Sequence, residues 1–299
     1  MIEKLEYLLA LAQEKHFGRA ADACGVSQPS LSLGLKQLEE ALGVMLVHRG
    51  SRFIGLTAEG ERTLVWARRI IGDARAMRQD LKELHHDLTG RLRIAVIPAA
   101  LPMIAAITRG LFVSHPEVEF TILSRSSNEI VPLLENLDID AALTYLDLGP
   151  LARVTTIPIY KERYQLLIAK DSGFKRRNTV TWADVAKLPL CLLTSDTQNR
   201  RIIETLLRDA GGAPRISVES NSMTVLFAHV HTGQWASVMP EKITQAMGLA
   251  KEIHAIPIVE PEVVHTIGLV MPLQEPTTAL ATALAAEARR VGAELIPSK

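Results

Sequence analysis

The chain is short of cysteine: Cys24 and Cys191 are its only two in 299 residues, one in each half. That scarcity excludes a disulfide framework and a cysteine-rich metal site, and leaves each thiol reading as a small buried apolar group. An excess of one charge is missing too, because Lys plus Arg and Asp plus Glu both total 33. A nucleic-acid partner would therefore need a local basic surface rather than a globally basic chain. No run of residues approaches the length of an uncharged membrane span, and Glu3, Glu6 and Glu14 interrupt the apolar start in a way foreign to a secretory signal. A cytoplasmic protein with no membrane partner is expected. Chemistry-bearing signatures are lacking as well. There is no phosphate loop and no nucleophile elbow, and His229 and His231 stand two apart without an acidic or cysteine cluster. Neither catalysis nor a metal or other cofactor is expected.

What is present is a chain long enough for two or three compact units, with 47% hydrophobic and 22% charged residues, the balance of an ordinary globular protein. Residues 4 to 15 carry leucines at helical spacing, and Gly18 to Cys24 form a shorter, alanine-rich helix that Gly25 interrupts. Ser27 then offers a hydroxyl N-cap and Pro29 falls in the first turn, where its missing N–H costs nothing. The helix so begun runs through Leu31, Leu35, Leu38 and Leu42 to Gly43. Two short apolar runs follow, Val44 to Val47 and Phe53 to Leu56, around the basic tip His48-Arg49-Gly50-Ser51-Arg52, and read as a hairpin. From Thr57 a long helical pattern places Leu64, Ala67, Ile71, Ala74, Met77, Leu81, Leu84 and Leu88 close to a heptad seam, with Arg68, Arg69, Arg75, Arg78 and Lys82 on other faces. Such a helix is expected to pair with its copy in a dimer.

After Thr89-Gly90 the pattern changes to strands alternating with helices. Strands fit at 92–97, 118–123, 140–144, 163–169, 190–193, 217–218, 236–239 and 264–270, with helices at 103–114 and 277–292. Alternation of this kind implies parallel strands with crossover helices. The fold class is therefore α/β, behind an N-terminal helical unit.

Helices 18–24 and 29–42, joined by a glycine-containing turn, have the layout of a helix-turn-helix, whose second helix presents its N-terminal residues to base edges in the major groove. Ser27, Gln28, Pro29, Ser30, Ser32, Lys36 and Gln37 would form that surface; Gln suits adenine, Ser either partner, and Lys guanine or a phosphate. A bare amphipathic helix shows similar residues on its free face. Arg49 and Arg52 at the hairpin tip are placed for phosphates or the minor groove. Over residues 15–57 five basic residues face three acidic ones, a local surplus in a neutral chain.

The runs Phe17-Gly18-Arg19-Ala20-Ala21, Val26-Ser27-Gln28-Pro29-Ser30-Leu31-Ser32, Leu38-Glu39, Leu42-Gly43, Arg49 and Leu56-Thr57-Ala58-Glu59-Gly60 closely resemble the LysR-type transcriptional regulators. The resemblance implies a winged helix-turn-helix over residues 1–57, a dimerising linker helix over 58–89, and a two-lobed periplasmic-binding-protein-like α/β effector domain over 90–299. One lobe would span 91–161 plus 267–299 and the other 162–266. It also implies double-stranded promoter DNA as partner, self-assembly into dimers or tetramers, and a small effector; RNA polymerase is a further candidate partner.

Ligands in such folds sit between the lobes, where strand ends and helix N-termini meet. By loop position the effector residues would be Ser126, Ser127, Asn128 and Thr144 on one wall, and Thr194, Ser195, Gln198, Asn199, Asn221, Ser222 and Thr224 on the other, holding an anionic or polar molecule. Helix capping alone explains many of these residue types. The loop Ile97-Pro98-Ala99-Ala100 lacks the hydroxyls often found there in the family, so that wall is apolar. The start of the chain, with His16-Phe17, resembles the peroxide-sensing branch, whose switch needs two cysteines in the effector domain; here only Cys191 lies there. Two readings thus stand beside the effector-responsive regulator: a thiol-oxidation switch through Cys191 alone, and a solute-binding protein without a DNA role.

Overall fold

The computed structural model describes residues 1–48, 53–83, 88–147, 154–170, 177–248, 252–273 and 275–296. The chain divides into two compact units, Met1–His85 and His86–Lys299.

The first unit holds α1 (Ile2–Glu14), α2 (Phe17–Ala23), α3 (Gln28–Leu42) and α4 (Ala58–Glu83). Each boundary has a local cause. Lys15 turns left-handed at φ 50° to end α1, and the His16 Nδ1 accepts the free N–H groups of Gly18 and Arg19 to start α2. Ser27 caps α3 by accepting the Ser30 N–H at 3.3 Å, and Gly43 at φ 71° closes it. Between α3 and α4 the two expected strands reduce to a single antiparallel bridge, Val47 to Leu56, flanked by bonds from His48 N to Gly55 O and Thr57 N to Leu46 O. The Glu39 carboxylate ties this turn-back to α3 by accepting the Leu46 and Val47 N–H groups at 2.8 and 3.2 Å. Arg49 and Arg52 lie outside the described residues.

The core of this unit gathers Leu5, Leu8 and Leu11 of α1, Ala20 and Ala21 of α2, Leu31, Leu35 and Leu38 of α3, and Leu46. Leu64, Ala67 and Ile71 of α4 join the same core, so the first half of the expected dimer seam is spent inside the domain. The apolar side chains that α4 leaves exposed are Val65, Trp66 and Ile70 together with Met77 and Leu81 of the expected seam. Of the remaining seam positions, Leu84 lies outside the described residues and Leu88 packs on the core of the second unit. The difference has a simple physical source: heptad spacing says that one stripe must be covered, not by what.

The second unit runs β1 (Gly90–Val96), a 3-10 helix (Pro98–Met103), α5 (Ile104–Ser114), β2 (Val118–Ser124), α6 (Ser127–Glu135), β3 (Ala141–Tyr145) and β4 (Val154–Glu162). It continues with β5 (Tyr164–Ala169), β6 (Val180–Thr181), α7 (Trp182–Val185), β7 (Pro189–Leu193), α8 (Gln198–Asp209), β8 (Arg215–Ser220) and α9 (Met223–His231). Last come β9 (Ser237–Pro240), α10 (Glu241–Met247), β10 (Ile253–Val259), β11 (His265–Pro272) and α11 (Ala279–Leu295).

One sheet has the order β2-β1-β3-β11-β4 and a second β6-β10-β5-β9, with β7-β8 attached to the second through the Leu190–Ala236 bridge. Strand-helix alternation gives parallel pairing for β1 with β2 and β3 and for β7 with β8, as the sequence implies. The pairing changes where the chain crosses between sheets. β11 runs antiparallel to β3 and β4, and β5 runs antiparallel to β9 and β10. Two connections link the sheets, β4 to β5 and β10 to β11, and their ends meet: His265 is the register partner of Glu162.

Candidate DNA interface and effector cleft

The face of α3 opposite the core displays the residues expected to meet DNA. Ser27, Gln28, Pro29, Ser30, Ser32, Lys36 and Gln37 are all exposed. The helix cannot roll to hide them, because it is locked by a close approach to α1: a Cβ added at Gly34 would stand 2.6 Å from the Tyr7 ring. Ser27 and Ser30 share a hydroxyl bond at 2.8 Å, and Lys36 reaches Glu40 at 3.7 Å on the solvent side, a contact weak enough to exchange for a phosphate.

In the second unit a small cleft of about 10 Å³ opens between the two sheets, lined by Ile97, Pro98, Ala99, Ser126, Ser127, Tyr145, Leu193, Thr197, Gln198 and Asn199. Its polar edges are helix starts. Ser126 precedes α6 and donates from both its N–H and its hydroxyl to Glu129, at 2.8 Å each. Thr197 precedes α8, donates its hydroxyl proton to the Thr194 carbonyl at 2.8 Å and accepts the Arg200 N–H. Two contacts span the gap: Asn199 Nδ2 to the Tyr145 hydroxyl at 3.4 Å, and Arg201 Nη2 to Asn128 Oδ1 at 3.3 Å.

Of the expected effector residues, Ser126, Ser127, Gln198 and Asn199 line the cleft. Thr144 is buried beside it, 3.4 Å from the Ser127 hydroxyl, and Asn128 holds Arg201. Thr194 has a buried hydroxyl without a partner, while Ser195 points to solvent. Asn221, Ser222 and Thr224 follow β8 and are not among the lining residues. Thr197 and Tyr145 do line it and fall outside the expected set; the Thr-Gln-Asn capping pattern carries a signal for the first, and nothing local marks the second.

Behind Tyr145 lies a buried carboxylate. The Tyr145 hydroxyl donates to Glu162 at 2.6 Å, and the phenols of Tyr160 and Tyr164 crowd the same fully buried group. Burial pushes the Glu162 carboxyl up to about 7, against the pull of the Tyr145 donor; the hydroxyls of Tyr160 and Tyr164 are buried close by without a hydrogen-bond partner. It holds no ion pair among the described residues. His265 stacks edge-on against Tyr145 and Tyr164, and desolvation lowers its pKa.

Cys191 sits in β7 with no exposed surface, its Sγ 3.7 Å from the Leu226 carbonyl, and burial pushes its thiol up to about 11. His229 bonds the Val225 carbonyl and stacks on Trp235. Among the described residues no group of three His, Cys, Asp or Glu converges as a metal site, and no helix is long and apolar enough to cross a membrane.

This architecture matches known proteins along its whole length. Residues 2–61 match the family described as bacterial regulatory helix-turn-helix protein, lysR family, and residues 85–293 match the LysR substrate binding domain. The DNA-binding transcriptional dual regulator OxyR of Escherichia coli is 29% identical over 270 residues, 90% of this chain and 88% of that protein. The hydrogen peroxide-inducible genes activator of Haemophilus influenzae is 27% identical over 97% of this chain and 98% of its own. A full-length OxyR variant from Pseudomonas aeruginosa superposes with a TM-score of 0.78 at 25% identity, covering 100% of this chain and 98% of that one. CbnR solved with its target DNA shares the fold at TM-score 0.64 and 23% identity, covering 97% of this chain and 99% of its own. With the helix-turn-helix at one end and the cleft domain filling the rest, the chain belongs to the LysR family of DNA-binding transcriptional regulators.

Proposed function

We propose that α3 reads promoter DNA through Ser27, Gln28, Pro29, Ser30, Ser32, Lys36 and Gln37, with Arg49 and Arg52 on the phosphates, and that a small effector in the cleft of the second unit modulates this binding. The observation that carries the reading is the exposed, largely polar face of a helix whose other face is locked in a core. DNA occupancy and effector occupancy must then change each other's affinity by the same factor. The exposed stripe of α4 supports a dimer, and assembly of dimers into a tetramer would present two such pairs to one promoter.

The cleft's own chemistry narrows the effector. None of its lining residues is charged, and the hydroxyls of Tyr145, Ser126 and Thr197 have given their protons to Glu162, Glu129 and the Thr194 carbonyl. They present lone pairs, so a polar ligand carrying hydrogen-bond donors suits this wall better than a carboxylate. Sites for drug-sized ligands usually span roughly 300–1,000 Å³; the enclosed space here is about 10 Å³, little more than one water molecule needs, so an effector must be very small or must part the walls. The relatives named as peroxide-inducible activators raise a second reading, oxidation at a thiol. A reactive cysteine is exposed and has a lowered pKa. Cys191 is the reverse on both counts, and this opposes a switch through it.

The test is fluorescence anisotropy on the promoter region beside the protein's own gene, with excess competitor DNA and a salt series. Wild type should bind specifically and weaken as salt rises. A Gln28→Ala, Arg52→Ala double variant should lose discrimination from competitor. Equal affinity of wild type for promoter and competitor would sink the reading.

A further inference from the structure

We infer that Leu33 reads the C5-methyl group of a thymine, so that α3 selects an A·T pair by apolar packing next to the amide of Gln37. The inference rests on α3 being the DNA-reading helix. Leu33 is 57% exposed. It sits at the centre of the outward face: Pro29 and Ser30 lie one turn before it and Lys36 and Gln37 one turn after, while Leu31, Gly34, Leu35 and Leu38 face the core. A lone exposed leucine on an ordinary surface needs no explanation. This one interrupts the polar surface that would enter the groove, where its isobutyl group leaves the water.

The major groove offers one apolar mark, the thymine methyl. Leucine can neither donate nor accept, so it gains nothing from any other base edge. Against a G·C pair it would cover the cytosine amino group or the guanine acceptors without replacing their hydrogen bonds with water, which costs free energy. Discrimination therefore comes from both sides: the leucine packs on a methyl group at A·T and strands polar groups at G·C. Gln37, on the same face one turn on, supplies an amide able to bridge the adenine N6 and N7. Side chains at this spacing stand about 5–6 Å apart at Cβ, close enough for the two to serve one pair or adjacent pairs. The lock between Gly34 and Tyr7 fixes the direction in which the preceding residue, Leu33, points.

The experiment selects binding sites from a random duplex pool with the full chain, as wild type, Leu33→Ala and Leu33→Asn. Each thymine of the wild-type site is then replaced by deoxyuridine, which removes the methyl group and leaves base pairing intact. We expect a thymine in each half-site whose replacement weakens wild type about fourfold, the worth of one buried methyl-sized group. Leu33→Ala should be indifferent to that replacement with an unchanged salt slope, and Leu33→Asn should select a different base pair there. The inference is overturned if no thymine is methyl-sensitive in wild type, or if Leu33→Ala keeps the wild-type uracil profile. It is also overturned if sedimentation shows that Leu33→Ala loses self-association instead, for then Leu33 packs on a second copy. Failure of wild type to select any sequence overturns the DNA-reading role of α3 itself, a separate result from a selected but methyl-blind site.

Discussion

Glu162 is a fully buried carboxylate with no cationic partner among the described residues, and it accepts the Tyr145 hydroxyl. Its folded pKa of about 7 lies above the 4.5 of a free glutamate. The folded state therefore holds this proton more tightly than the unfolded chain. The stability linked to it is complete below pH 4.5 and is lost as pH rises towards 7, by an amount on the order of 3 kcal/mol. His265 works in the opposite sense: its lowered pKa gives stability that is present above 6.5 and lost as pH falls. The difference between wild type and Glu162→Gln isolates the carboxyl. By denaturant unfolding between pH 5 and 8, the variant should gain on wild type as pH rises, and a pH-independent difference would show that Glu162 keeps one protonation state. Cys191 makes a companion case. In the native protein a thiol reagent should label at most Cys24, with Cys191 reacting only after unfolding; native labelling of Cys191 would restore the oxidation switch. The burial of Cys191 was legible in the sequence, because it stands in the apolar run Leu190–Leu193. Glu162 was not, since a glutamate at a strand end reads as surface, and the three phenols around it come from β3, β4 and β5, which only the topology brings together.

The elements of the first unit were legible wherever capping chemistry marks them. Ser27 with Pro29 fixed the start of α3, and Ser27→Ala should cost about 1 kcal/mol of that unit's stability by chemical denaturation, with Ser27→Asp restoring most of it. Gly60 near the start of α4 is less obvious: a Cβ there would stand 2.0 Å from the Leu46 carbonyl oxygen. Gly60→Ala should destabilise by about 2 kcal/mol or more, because the obstacle is backbone and cannot rotate away; an unchanged unfolding midpoint would mean that the chain before α4 shifts freely. Three strands of the second unit were not legible in the sequence: β6, which is only two residues long, and β4 and β10, which share a feature. Each of the latter two carries a proline inside an Ile-Pro-Ile run, at Pro158 and Pro257, and proline argues against a central strand. β4 tolerates it as the edge of its sheet, and β10 is open on one side over most of its length because β6 pairs only with Ile258 and Val259.

For the whole molecule the open question is what covers α4. Trp66 is 58% exposed, Met77 56% and Leu81 55%, and with Ile70 they recur at intervals of four, seven and four, the spacing of a helix-pairing seam. A second copy of the helix is the proposed cover, since helices carrying the same stripe satisfy one another. Changing Ile70 and Met77 together to Asp puts charge into that seam without touching Leu64, Ala67 or Ile71, which serve the domain core. Sedimentation velocity should then show the assembly falling to monomers, with the thermal unfolding of the first unit little changed. DNA binding should suffer disproportionately. Two reading heads on one assembly make the second contact intramolecular, so their separation should cost on the order of 100-fold in affinity for a two-half-site promoter, while affinity for an isolated half-site stays level. An assembly that survives the double substitution would place the interface elsewhere and leave this stripe without a partner.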